Sequence, residues 1–152
     1  MTPGDAERLA EWRYCGQWSV YNLGSPAVVL DELNYYWSVA DSDGATLVGF
    51  VCAGAPARVP GLDEDPSVVD VGVGMNPDLV GQGRGSAFGQ AVLNHLDGLY
   101  PGRLLRAVIQ AWNVRSLRFA RSLGFVEHGE FISMQGDRQV YYHILVKPLP
   151  QH

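Results

Sequence analysis

The sequence VVDVGVGMNPDLVGQGRGSAFG, residues 68–89, combines a short β-branched run, a turn and a stretch in which every second residue is glycine. The run Val68–Met75 predicts a buried strand, and Gly72 and Gly74 within it suggest a bulge or the close approach of a ligand to the backbone. The Asn-Pro-Asp turn at 76–78 predicts the end of this strand. The apolar spacing after the glycines fits an amphipathic helix, so the whole stretch predicts a strand, a glycine-rich loop and a helix.

The glycine-rich loop has the composition of a phosphate-binding site. Gly81, Gly83 and Gly85 alternate with larger residues just before the predicted helix. Such a loop presents backbone N–H groups at a helix N-terminus, where the unpaired donors and the helix dipole favour an anion. A Cβ atom at Gly83 or Gly85 would collide with the phosphates or forbid the dihedral angles of the loop.

Two common phosphate-binding motifs do not fit this loop. A dinucleotide fingerprint that begins at Gly81 needs glycine where the chain has Ser86, and one that begins at Gly83 needs glycine where the chain has Phe88. A P-loop needs Gly-Lys followed by Ser or Thr, and the only lysine of the chain is Lys147. The loop therefore belongs to another class of phosphate site.

Two segments carry a family resemblance. Residues 80–85, VGQGRG, resemble the Arg/Gln-x-x-Gly-x-Gly/Ala loop of the GCN5-related N-acetyltransferase (GNAT) family, with Val80 at the position of the usual Arg or Gln. Residues 113–125, NVRSLRFARSLGF, resemble the helix of that family that begins with Asn and ends in Gly-Phe. The resemblance implies one α/β domain over residues 1–152, with a mixed, mostly antiparallel central sheet that is split at a β-bulge and flanked by helices.

The ligand that the resemblance implies is acetyl-CoA, acting as the acyl donor, and no metal is expected. Its pyrophosphate is expected on the glycine loop, and its pantetheine arm beside the end of the bulged strand, where it can pair as a pseudo-strand. Arg84 either adds charge at the rim or is a solvated arginine at the helix start whose side chain does not contact the ligand. Asn113 either reaches the CoA arm or only caps its helix. The expected cofactor-binding residues are Val73, Gly74, Met75, Gly81, Gln82, Gly83, Arg84, Gly85, Ser86 and Asn113.

The resemblance also implies direct transfer of the acetyl group to a primary amine, either of a small molecule or of a protein N-terminus. The Met75 amide is expected to donate to the thioester carbonyl and to stabilise the oxyanion. Asp70 stands where the family often has a glutamate; it is either a general base that acts through water or an outward-facing strand carboxylate. The expected catalytic residues are Asp70, Met75 and Ser116.

Protonation of the leaving thiolate has no obvious donor, because Ala120 occupies the position of the tyrosine that the family frequently uses. A thiolate with a pKa of about 8.5 or above can also leave unassisted or through water. Ala120 and Val80 keep a second function open, a non-catalytic acyl-CoA-binding or regulatory module. The side chains that could replace the tyrosine are Ser116, Tyr141, Tyr142 and His143.

The charge and hydrophobic content of the chain indicate which classes of partner to expect. Sixteen acidic and eleven basic residues give a net charge of −5 without a cluster of Lys and Arg, so no nucleic-acid partner is expected. A hydrophobic content of 47% over 152 residues is enough for a core. No apolar run approaches the roughly 20 residues that cross a bilayer, so we expect a cytoplasmic protein with no membrane partner, and a homodimer is left open.

The rest of the chain contains an aromatic N-terminal segment and further helices and strands that hydrophobic periodicity predicts. The N-terminal aromatic residues, Trp12, Tyr14, Trp18 and Tyr21, either pack in a core or line an acceptor pocket, as the corresponding segment does in the resembling family. Asn113 is predicted to cap a helix that ends at Gly124. The other predicted elements are helices at 5–12 and 27–33, a hairpin at 35–40 and 46–53 around a turn at 41–44, a surface loop at 54–66, a helix to about Leu99, a strand at 104–111, and a strand pair at 125–134 and 140–146.

Overall fold

The computed structural model describes residues 1–41, 43–44 and 46–149 of the chain. Within these ranges the chain forms four α-helices and six strands. The helices are α1 (Pro3–Glu11), α2 (Ala27–Leu30), α3 (Gly85–Leu99) and α4 (Val114–Ser122). The strands are β1 (Tyr36–Ala40), β2 (Leu47–Ala53), β3 (Val68–Met75), β4 (Leu104–Gln110), β5 (Val126–Gln135) and β6 (Arg138–Lys147).

The described strands form one mixed sheet in the order β1-β2-β3-β4-β6-β5. The pairs β1/β2, β4/β6 and β5/β6 are antiparallel, and β3/β4 is parallel. The predicted α/β fold with a mixed, mostly antiparallel sheet is therefore confirmed.

The pairing of β3 with β4 stops before β4 ends. Their parallel register runs from Val68↔Leu104 to Asp70↔Arg106, whereas β4 continues to pair with β6 as far as Gln110. The strand β3 continues beyond Asp70 to Met75. The two strands are thus unpaired with each other beyond Asp70, as the predicted split of the sheet requires.

The chain divides into two compact units, each of which is discontinuous in sequence. The first unit consists of residues 1–52 and 73–88, and the second begins at residue 53, includes residues 53–72 and resumes at residue 89. The strand β3 and the helix α3 each contribute residues to both units. No helix in the described part of the chain has the length and apolar character that crossing a membrane requires.

The first unit opens with a capped helix. The Thr2 hydroxyl accepts from the Asp5 amide, and the Asp5 carboxylate accepts from the Thr2 amide, which together form a capping box at the start of α1. Pro3 occupies the first turn, where its missing N–H costs nothing. Because of this cap, α1 begins two residues earlier than the predicted position 5.

The rest of the first unit contains a short helical segment and a hairpin. The predicted helix at 27–33 is shorter than expected, because α2 ends at Leu30 and a separate 3₁₀ turn follows at Leu33–Tyr35. The predicted hairpin is confirmed, and β1 pairs with β2 from Tyr36↔Cys52 to Ala40↔Leu47. Of its predicted turn at 41–44, Ser42 lies outside the described residues, as does Ala45 next to it.

The second unit is built on β4, β5 and β6. Leu105 and Leu145 are almost completely buried, and the hairpin of β5 and β6 closes at Gln135↔Arg138 as predicted. The loop at 54–66 is tied to β5, because the fully buried Ser133 donates its hydroxyl to the Pro60 carbonyl at 2.6 Å. This loop is therefore part of the packed second unit.

Candidate functional site

The residues predicted to bind the cofactor or to catalyse the reaction fall in both units. The second unit holds Asp70, Asn113 and Ser116. The first unit holds the end of β3 and the glycine loop. Its predicted site residues are Val73, Gly74, Met75, Gly81, Gln82, Gly83, Arg84, Gly85 and Ser86.

The glycine loop needs glycine for its backbone conformation. Gly81 has a φ of 81° and Gly83 a φ of 74°, which is the left-handed region that side chains with a Cβ rarely adopt. A Cβ atom built on either residue meets no atom within 4 Å, and both residues are exposed. The predicted requirement at Gly83 is confirmed in its conformational part, and Gly81 shares it. The conformational requirement predicted for Gly85 is wrong, because Gly85 is the first residue of α3 and has helical backbone that any residue can adopt.

The loop leads directly into the N-terminus of a long helix. The first helical hydrogen bond of α3 runs from the Phe88 amide to the Arg84 carbonyl, so the N–H groups of residues 85–87 precede the helical ladder. The first turn of α3 contains no acidic residue. Unpaired donors at the positive end of a 15-residue helix favour a bound anion.

The side chains of the loop point to partners within the first unit. Gln82 donates its side-chain amide to the Asp78 carbonyl at 2.8 Å. Arg84 forms an ion pair with Asp41, and each of these side chains is 32% exposed. The Arg84 guanidinium is therefore held by a carboxylate 43 residues away in the sequence, and its contribution to the cofactor site stays a prediction.

Packing explains the glycine at the end of β3. A Cβ atom on Gly74 would overlap the ring of Phe50, and one on Gly49 would lie 2.5 Å from the Gly74 carbonyl oxygen. Gly74 was expected to mark a bulge or the approach of a ligand. The Phe50 ring occupies the space that a Cβ atom on Gly74 would need, and the contact of Gly74 with the cofactor stays a prediction.

Aromatic residues surround that ring. The ring centroid of Phe50 lies 6.5 Å from that of Trp12 and 5.8 Å from that of Tyr36. Both distances are within the range of favourable aromatic pairs. Trp12 thus contacts Phe50 in the first unit but is only half-buried, and Tyr21 of the same segment is 39% exposed, so the choice between core packing and an acceptor pocket is left open for this segment.

Tyr14, from the same segment, contacts the end of β3 directly. Its hydroxyl donates to the Met75 carbonyl at 2.5 Å. Sequence reasoning grouped Tyr14 with its aromatic neighbours and gave it no separate role. The sequence carries no signal for this contact, because the two residues are 61 positions apart.

Asp70 in the second unit is enclosed by two arginines. Arg106 donates through both Nε and Nη2 to the two carboxylate oxygens, and Arg58 donates Nε at 2.9 Å. The side chains of Asp70 and Arg106 are only 3% and 9% exposed. The interpretation of Asp70 as an outward-facing carboxylate is therefore wrong, and sequence reasoning missed both arginines. Its role as a general base stays a prediction.

Asn113 caps α4, as its sequence position predicted. Its side-chain oxygen accepts from the Ser116 amide at 3.2 Å, and the residue is 2% exposed. Ser116 is half-buried at the start of the helix. The contact of Asn113 with the CoA arm and the catalytic role of Ser116 stay predictions.

Metal ligands do not cluster in the part of the chain that the structure describes. Among these residues no group of three or more His, Cys, Asp and Glu side chains is arranged to hold a metal ion.

Comparison with known proteins gives a consistent result. A family model described as "Acetyltransferase (GNAT) family" matches residues 5–125. Among solved structures, a GNAT-family acetyltransferase from Bacillus anthracis has a TM-score of 0.73 at 16% identity and covers 96% of this chain and 90% of its own. The protein yncA from Salmonella typhimurium, solved with its cofactor acetyl-CoA, has a TM-score of 0.68 at 16% identity. The alignment covers 100% of this chain and 92% of that chain.

A third solved structure is the ribosomal-protein-S5-alanine acetyltransferase from Vibrio fischeri. It has a TM-score of 0.61 at 17% identity, with 97% of this chain and 89% of that chain covered. At these identities the structural similarity supports the fold alone. No curated protein sequence matched this chain.

Proposed function

Because this chain belongs to the acetyltransferase (GNAT) family, we propose that it transfers an acetyl group from acetyl-CoA to a primary amine. The acceptor is either a small molecule or a protein N-terminus. This proposal rests on the family match; among the structural neighbours, the Salmonella protein was solved with acetyl-CoA and the Vibrio protein is named for an alanine of a ribosomal protein.

The observation that carries the proposal is the glycine loop in front of α3. Gly81 and Gly83 have left-handed φ angles and are exposed, and the N–H groups of residues 85–87 precede the helical ladder. Backbone donors at a helix N-terminus bind phosphate groups without a basic side chain. This matters because Arg84, the arginine within the loop, is already paired with Asp41.

The proposed reaction is a direct transfer. The amine nitrogen attacks the thioester carbon, the carbonyl oxygen becomes an oxyanion, and the C–S bond then breaks to release the CoA thiolate, which takes up a proton. The Met75 amide is the proposed donor to the oxyanion. The amine must lose one proton. We propose water as the acceptor of this proton in preference to Asp70, because both carboxylate oxygens of Asp70 already accept from guanidinium groups.

One observation favours a second candidate function, a non-catalytic acyl-CoA-binding module. Ala120, where the family frequently has a tyrosine acid, is 5% exposed and lies within α4. The measurement that separates the two functions is release of free CoA from acetyl-CoA in the presence of aminoglycosides, polyamines, amino acids and peptide N-termini. CoA release with any of these supports transfer, whereas binding of acetyl-CoA without release supports the module.

Acetyl-CoA is expected to raise the melting temperature of the protein. A ligand at about 100 times its Kd stabilises the folded state by about 2.7 kcal/mol, which corresponds to roughly 5 to 10 °C for a domain of this size. Gly83→Val should abolish the shift, because valine cannot adopt a φ of 74° without strain. Differential scanning fluorimetry measures both.

The matched control is Gly98→Ala in α3. A Cβ atom on Gly98 meets nothing within 4 Å, so this variant should keep the full shift. A parent protein whose melting temperature does not move in millimolar acetyl-CoA contradicts the cofactor assignment.

Asp41→Asn is expected to strengthen the binding of acetyl-CoA. If Arg84 contributes its charge to the phosphates, it must first leave Asp41, and removing the carboxylate removes that competition. A partly exposed ion pair is worth about 1 kcal/mol at most, so Kd should fall by no more than roughly fivefold. Titration calorimetry at constant ionic strength measures the change. An unchanged Kd in Asp41→Asn, together with an unchanged Kd in Arg84→Gln, removes the Arg84 side chain from the cofactor site.

A further inference from the structure

The C-terminal end of β3 is held by a hydrogen bond from outside the sheet. The Tyr14 hydroxyl donates to the Met75 carbonyl at 2.5 Å, although Tyr14 belongs to the segment that follows α1. Met75 is the residue whose amide is the proposed oxyanion donor. A contact on the same residue can therefore affect the geometry of that donor.

The peptide group that Tyr14 holds is fixed at its other edge as well. The Met75 carbonyl and the Asn76 N–H belong to one planar peptide group. The Asn76 N–H donates to the Val48 carbonyl at 2.8 Å, and the Asn76 side chain donates to the Leu47 carbonyl at 3.1 Å. The peptide is thus bound on one edge by β2 and on the other by Tyr14.

Tyr14 is itself held in place. Its backbone amide donates to the side-chain oxygen of Asn22 at 2.7 Å, which closes the segment between them, including the 3₁₀ helix Gly16–Tyr21. The side chain is half-buried. The backbone segment that carries Tyr14 is therefore held by its own hydrogen bond.

The acidity of the hydroxyl distinguishes a positioning role from proton transfer. Burial raises the pKa of Tyr14 to about 12. An alkyl thiol such as that of cysteine has a pKa of about 8.5, well below that of Tyr14, so proton transfer from Tyr14 to a thiolate of this kind is strongly uphill. A hydroxyl of this kind keeps its proton and its hydrogen bond at every pH at which the protein would work.

We propose that Tyr14 is a positioning residue for acetyl transfer: it fixes the Met75 carbonyl in the Met75–Asn76 peptide and, through the backbone dihedral angles of Met75, limits the direction of the Met75 N–H in the neighbouring Gly74–Met75 peptide. This role rests on the proposed function. It links the N-terminal segment to the atom that stabilises the oxyanion. Catalytic donors lose much of their effect when they are displaced by about 1 Å, so a free Met75 carbonyl should slow the chemical step more than it weakens binding.

The test is Tyr14→Phe, which removes one oxygen atom and keeps the ring. With the amine that the acceptor screen identifies, kcat is expected to fall by roughly 10- to 100-fold. The Kd for acetyl-CoA, measured by calorimetry, should change by less than about twofold, because the substitution leaves intact the glycine loop on which the pyrophosphate is expected. In a protein labelled with ¹³C at the methionine carbonyl carbons, the Met75 carbonyl signal should shift in the variant.

Ser133→Ala is the matched control for lost stability. Like Tyr14→Phe, it removes a hydroxyl that donates to a backbone carbonyl, and Ser133 is completely buried in the second unit. Each substitution should lower the free energy of unfolding by a comparable amount, so both are assayed well below their melting temperatures. Ser133→Ala should retain the parent's kcat.

The outcomes separate the positioning role from the proposed function. A parent that transfers acetyl groups, with a Tyr14→Phe variant that keeps kcat within the range of Ser133→Ala, overturns the positioning role alone. An equal loss of kcat in both variants also overturns it, because the loss then follows stability. A parent that neither releases CoA with any amine nor responds to acetyl-CoA in melting temperature overturns the proposed function and the positioning role with it.

Discussion

Asp70→Asn is expected to lower the free energy of unfolding by about 3 to 5 kcal/mol, the usual cost of removing one partner from a buried ion pair. Arg106 is 9% exposed and binds Asp70 through two donors, so the substitution leaves its guanidinium buried without a compensating charge. Arg58, at 22% exposure, loses a partner at the same time. Urea denaturation at neutral pH, followed by circular dichroism, measures the change.

Glu127→Gln is the matched control for this substitution. Glu127 also faces two basic groups, Arg121 and His143, but the side chains of Glu127 and Arg121 are 42% and 49% exposed. Surface ion pairs contribute about 0 to 1 kcal/mol, so this variant should differ little from the parent. Equal small losses in both variants would show that burial of the Asp70 cluster does not matter for stability.

The same Asp70→Asn protein tests the predicted general base. A base that takes the amine proton contributes roughly 10²-fold or more to kcat/KM, and its loss should matter less at high pH, where more amine is already neutral. An ion pair that only stabilises the fold predicts no such trend. The decisive measurement is kcat/KM of folded Asp70→Asn and parent between about pH 6 and 9.5. A loss of kcat/KM in Asp70→Asn that becomes steadily smaller as pH rises would support Asp70 as the general base.

Gly49→Ala is expected to cost about 3 kcal/mol or more, at the upper end of the range for overpacked cores. The new Cβ would lie 2.5 Å from the Gly74 carbonyl oxygen and 2.6 Å from the ring of Phe88. Gly49 is buried in β2, and one of its two neighbours is backbone, which cannot rotate away. Chemical denaturation of the variant measures the cost.

Gly98→Ala adds the same methyl group where nothing lies within 4 Å. In a helix this substitution should stabilise the protein by roughly 0.5 to 1 kcal/mol, because alanine loses less conformational freedom than glycine. The two variants should therefore move stability in opposite directions. A Gly49→Ala protein as stable as the parent would mean that β2 can shift away from the Gly74 carbonyl at little cost.

Local features of this protein were decided by its sequence. The limits of β3 match the predicted run Val68–Met75, and Asn113 caps α4 as its position required. The left-handed angle at Gly83 also follows from the residue type and its place before a helix. Such features depend on hydrogen bonds and steric limits within a few residues, which a short stretch of sequence contains in full.

The contacts that give the candidate site its character were decided by the tertiary structure. Asp41 reaches Arg84 across 43 positions, and Asp70 reaches Arg106 across 36. The alternation of residues along a strand predicts which face a side chain lies on, and does not identify what that face packs against. A carboxylate in a strand therefore had no assignable partner until the parallel pairing of β3 with β4 brought Asp70 beside Arg106.

Tyr14 shows the same limit most directly. The sequence alone identified it as one of several aromatic residues near the N-terminus, because ring size and hydrophobicity are properties of the residue itself. Its hydrogen bond to the Met75 carbonyl spans 61 positions and depends on where the segment after α1 packs against the end of β3. Packing of distant segments results from burial summed over many contacts, so only the folded chain determined which carbonyl this hydroxyl binds.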